Sequence, residues 1–66
     1  MRIFINGQPH EAGSGQTLLG LVTSLGLDPA VVVAELNQAI VPGARFTDTA
    51  LHEGDRLELL SFVGGG

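Results

Sequence analysis

Apolar and polar residues alternate from the first position. Met1, Ile3 and Ile5 share one parity, and Arg2, Phe4 and Asn6 the other. A side-chain period of two predicts a strand with one buried face. Asn6-Gly7 follows it. That pair favours a type I′ turn, which needs positive φ at both central residues. A second strand over Gln8 to Ala12 is expected to return antiparallel, ended by Gly13-Ser14-Gly15.

The period then changes. Leu18, Leu21, Val22 and Leu25 fall at i, i+3, i+4 and i+7, which predicts a helix with one apolar stripe. Thr17 stands where an N-cap belongs, and Gly26 where a helix ends in the left-handed region. Gly20 lies inside the helix, and close packing of the helix on a sheet is the expected reason for it. Asp28-Pro29 turns the chain. "AVVVAELN" (30–37) is β-branched and predicts a third strand, Asn37-Gln38 a tight corner, and "AIV" (39–41) a short strand ended by Pro42. "PGARFTDTAL" (42–51) predicts an irregular crossover. "HEGD" (52–55) predicts a turn with Gly54 at positive φ. Glu53 and Asp55 are expected to be solvated turn residues. "RLELLSFV" (56–63) is the last strand.

The order ββαβ(β)β gives an α+β fold in two layers, with one helix on one face of a four- to five-stranded mixed sheet. The first and last strands are the most apolar and are expected side by side in the sheet centre. If Met1, Ile3, Ile5, Leu57 and Leu59 face the helix, then Phe4, Leu60 and Phe62 point outward. These three are expected to form an apolar patch on the helix-free face, leading toward the chain end. Exposed apolar patches mark partner surfaces.

Composition narrows the chemistry. The chain has 66 residues. A domain of this size buries only about 60% of the surface its unfolded chain exposes. There is no cysteine to staple it, and 44% of its residues are hydrophobic, so the fold rests on its core. A concave active site in so small a core argues against a self-contained enzyme. His10 and His52 are too few and too far apart in sequence to suggest a metal site. The net charge of −4, with no lysine among the cationic residues, argues against nucleic acid. The apolar runs are far shorter than the roughly 20 residues of a spanning helix, so the expectation is no membrane and a cytoplasmic protein. "GSGQT" (13–17) lacks the lysine of a phosphate loop and reads as a strand-to-helix connection. Asp48, Glu53, Asp55 and Glu58 have no cleft to make them an acid–base pair.

The chain ends in Gly64, Gly65 and Gly66. Locally, this reads either as a frayed terminus or as a tail thin enough to thread a channel, reaching about 10 Å when extended. The expected division is a domain over 1–63 and a flexible glycine tail over 64–66.

The order of elements, "MRIFINGQP", "GQTLLGLV", "VAELNQAIVP", "LHEGDRLELLSFV" and the closing "GG" together resemble the ThiS family. These are the sulfur carriers of thiamine (thiazole) biosynthesis, which have a ubiquitin-like β-grasp fold. The resemblance implies that Gly66 is the reactive terminus, with Gly65 the second residue of its motif. It implies a ThiF-like adenylyltransferase that activates the carboxylate with ATP and Mg, none of it bound by the carrier. A cysteine desulfurase or other persulfide donor would then form a thiocarboxylate, and a ThiG-like thiazole synthase would take up the sulfur. The chain would be a protein co-substrate rather than an enzyme. A carrier of another pathway, such as the small subunit of molybdopterin synthase, or a ubiquitin-like protein modifier, would begin with the same activation.

Overall fold

The computed structural model describes residues 1–62. Five strands form one sheet: β1 (Arg2–Ile5), β2 (Gln8–Glu11), β3 (Val32–Leu36), β4 (Ala39–Val41) and β5 (Arg56–Ser61). The spatial order is β2-β1-β5-β3-β4. β1 and β5 pair parallel, and every other pair is antiparallel. The most apolar strands therefore meet in the interior of the sheet, as their composition implies.

Helix α1 (Leu18–Ser24) crosses one face. Thr17 caps it, its Oγ accepting from the Gly20 N–H at 3.1 Å. At the other end Gly26 takes φ +77°. Its N–H donates to Thr23 O, and the Leu27 N–H donates to Val22 O, the Schellman closure that glycine allows at this position. Leu18, Leu21 and Val22 are fully buried. Leu25, expected in the stripe, is instead the C-cap residue and is exposed. One turn less of helix leaves it outside the buried face.

Gly20 differs from expectation too. A Cβ there would meet Thr17 Oγ at 3.4 Å and the Gln16 side chain at 3.6 Å, and no atom of the sheet. Those are ordinary contact distances, so no packing constraint demands glycine. Gly20→Ala is expected to raise stability by up to about 1 kcal/mol through helix propensity, seen as a higher urea midpoint at unchanged slope.

The core joins Ile3 and Leu57 from the central strands, Val32 and Ala34 from β3, and the helix stripe. The crossover after β4 contributes as well. It is a 3₁₀ helix, Gly43–Asp48, rather than an irregular loop, and it buries Phe46 to 1% exposure. Leu51 follows at 3%. A second 3₁₀ turn, Pro29–Val31, occupies the start of the expected third strand. Asp28 caps it through the Ala30 N–H, so β3 begins only at Val32. β2 ends at Glu11, one residue short of the expected Ala12. β5 ends at Ser61, and Val63 lies outside the described residues.

The turns carry more structure than their polarity suggests. Asn6 and Gly7 both take positive φ, as the type I′ hairpin requires. Asn37 and Gln38 do the same at the β3–β4 corner. Asn37 then ties that corner to β5: its Nδ2 donates to Asp55 Oδ1 and its Oδ1 accepts from the Arg56 N–H. Glu53 and Asp55 are more than solvated turn residues. Glu53 Oε1 accepts from the Arg2 N–H, and Asp55 Oδ2 from the His52 N–H.

Candidate functional site

The helix-free face of the sheet carries the side chains that the core does not use. In β5 these are Arg56, Glu58, Leu60 and the following Phe62. Opposite them β3 presents Val33 beside Leu60 and Glu35 beside Glu58, and β4 adds Ile40 beside Glu35. Ile40, Leu60 and Phe62 are each more than half exposed, and Val33 is 41% exposed. Single exposed apolar side chains are ordinary. Here four of them lie on one face of adjoining strands, which is unusual for a surface in contact with water alone.

The sequence reading placed Phe4, Leu60 and Phe62 in one patch. The face is shared, but the register separates them. Phe4 pairs with Arg56, four residues before Leu60, or about 13 Å along the strand. Phe4 is also half-buried, with the Arg56 guanidinium 4.9 Å above its ring. The apolar neighbours of Leu60 come instead from β3 and β4. Val33 and Ile40 were missed, although the alternation in "VVVAEL" already sets Val33 and Glu35 opposite to the buried Val32 and Ala34.

Asn6 completes the rim. β1 stops at Ile5, but the Asn6 carboxamide continues its pairing. Nδ2 donates to Leu59 O at 3.1 Å, and Oδ1 accepts from the Leu59 N–H at 2.9 Å. Together Asn6, Val33, Glu35, Ile40, Glu58, Leu59 and Leu60 line an open concavity of about 440 Å³. It is shallow and apolar, with two carboxylates in its floor.

This face leads along β5 toward the chain end. Gly64, Gly65 and Gly66, named from the sequence as tail and reactive terminus, lie outside the described residues, as does the expected boundary at 63. Among the described residues no group of three or more His, Cys, Asp or Glu is placed to hold a metal ion. No helix among them is long and apolar enough to cross a membrane.

The family model of the ThiS family matches residues 3–66, which includes the three terminal glycines. The chain is 30% identical to the sulfur carrier protein ThiS of Escherichia coli over 66 residues, the full length of both. It is 42% identical, over its whole length, to part of a thiazole synthase of Magnetococcus marinus. It spans only 20% of that protein, and 20% of the matching thiazole synthase of Paramagnetospirillum magneticum. Among solved structures, the thiamine biosynthesis protein ThiS of Geobacter metallireducens superposes with a TM-score of 0.84 at 29% identity, covering both chains completely. The five-stranded sheet with one helix is thus the ubiquitin-like β-grasp that the sequence resembles. With its fold and nearly its entire sequence matched in this way, the chain belongs to the ThiS family of thiamine-biosynthesis sulfur carriers.

Proposed function

We propose that this chain carries sulfur for thiazole formation on the carboxyl group of Gly66, as a co-substrate of other enzymes. The observation that carries the proposal is the family match running through to residue 66. The final glycines are part of what the chain shares with the family, rather than an appendage to it.

The chemistry of a terminal carboxylate explains why helper enzymes are needed. A free α-carboxyl group has a pKa near 3.3–3.7 and is an anion at neutral pH, hence a poor electrophile. Attack of its oxygen on the α-phosphorus of ATP would release pyrophosphate and leave an acyl-adenylate. ATP and Mg belong to the ThiF-like adenylyltransferase in this scheme, and the carrier holds no cofactor of its own. The terminal sulfur of a donor's persulfide would then attack the carbonyl carbon, and AMP would leave with the electron pair of the C–O bond. Cleavage of the resulting acyl disulfide by a second thiol would yield the thiocarboxylate and a disulfide. A glycine tip leaves both faces of the carbonyl open to these nucleophiles. The chain has neither cysteine nor lysine, so no thiol or side-chain amine of its own competes for the activated carbonyl.

Thiazole synthase is the proposed acceptor. Two relatives called thiazole synthases contain a segment matching this whole chain, and segments that share one polypeptide commonly act together. Incubation with the adenylyltransferase, ATP and a persulfide donor is expected to raise the mass of the carrier by the exchange of one oxygen for sulfur, with the change mapping to Gly66. An unchanged mass, or sulfur mapped elsewhere, would count against the proposal.

A further inference from the structure

Glu35 and Glu58 stand directly opposite each other on adjacent antiparallel strands. Like charges in that position destabilise a sheet, and a cation nearby ordinarily relieves them. This chain has three cationic side chains, all arginine, and none serves the pair. Arg2 bonds Glu11 at 3.2 Å. Arg56, two residues from Glu58 on the same strand, lies over the Phe4 ring. Arg45 belongs to the crossover that packs against α1, on the other side of the sheet. No ion pair among the described residues involves Glu35 or Glu58. The two carboxylates nonetheless sit in the concavity, rimmed by Val33, Ile40 and Leu60.

We propose that this face docks the thiazole synthase by receiving an arginine or lysine side chain between Glu35 and Glu58, while apolar side chains of the synthase cover Val33, Ile40 and Leu60. The inference rests on the sulfur-carrier reading and adds to it the chemistry of the partner's surface. An apolar rim keeps water from the ion pair, which strengthens it. The repulsion stored in the free carrier is released on binding. The pair thus lowers the stability of the carrier while strengthening its association, a trade that functional surfaces commonly show.

Calorimetric titration of the carrier with separately expressed thiazole synthase tests this. The double variant Glu35→Gln/Glu58→Gln is expected to raise Kd about tenfold or more and to lose most of the salt dependence of binding. Its urea midpoint should equal or exceed that of the unaltered chain, since the repulsion is gone. Glu58→Arg should stabilise the sheet by making an opposite-charge pair with Glu35, yet abolish measurable binding. A purely structural role for the carboxylates would move stability and binding in the same direction. A Kd for the double variant within about twofold of the unaltered chain, with its salt dependence intact, would overturn the inference. The sulfur-carrier reading fails separately, through the absence of the mass change at Gly66 in the unaltered chain.

Discussion

Phe46→Ala is expected to destabilise the domain by about 3–5 kcal/mol. The ring is 1% exposed and is among the largest fully buried side chains of the core. It comes from the 3₁₀ crossover and joins a cluster that includes Leu18, Leu21 and Val22 of the helix. A chain of this length has a total stability of roughly 3–10 kcal/mol, and no disulfide shares the load. Loss of the ring would therefore remove a large part of the stability, and at the lower end all of it. Urea titration should show a midpoint far below that of the unaltered chain, with a similar slope if unfolding stays two-state. A midpoint within experimental error of the original would mean that the crossover is not part of the core. The loss should affect sulfur loading only through the folded fraction, because Phe46 lies on the opposite side of the sheet from the concavity.

Deletion of Gly66 is expected to have the reverse profile. Sulfur loading should be abolished, because the new terminus is one residue short of the reach and register that an adenylating site would require. In an extended chain one residue is about 3.5 Å, and catalysis loses roughly a hundredfold for misplacements of about 1 Å. The urea midpoint should not change, since the folded domain is built from residues that precede the tail. Mass spectrometry of the loading reaction and a denaturation curve, read side by side, separate the two variants. If the shortened chain still gains sulfur, Gly66 is not the reactive end.

These variants also mark what could be read from the sequence. Alternation in "MRIFIN" and "RLELLS" was legible because each strand buries one face, so a period of two fixes which side chains go in. The hairpins were legible because Asn-Gly and Asn-Gln stand at bends that need positive φ. The register of β1 against β5 was not. Parallel neighbours are not joined by a turn, so no local residue pair fixes how far one slides along the other. That is why Phe4 was grouped with Leu60, and why Val33 and Ile40 were not. The burial of Phe46 was hidden for a different reason. A 3₁₀ segment of six residues between Pro42 and Thr49 is too short to display a period. The usable signal was a single large aromatic residue in a polar stretch. Glu35 and Glu58 could be assigned to the outer face by parity, but their pairing required the register.

The most direct test of the account follows the sulfur itself. A persulfide donor carrying heavy-isotope sulfur is supplied to the carrier, adenylyltransferase, ATP and thiazole synthase, and the label is traced over a single turnover. The account predicts that the label appears first on the C-terminal peptide ending in Gly66 and then in the thiazole ring, with loss from one matching gain in the other. Label entering the ring without passing through Gly66, or the carrier ending in amide linkage to lysines of other proteins, would contradict it.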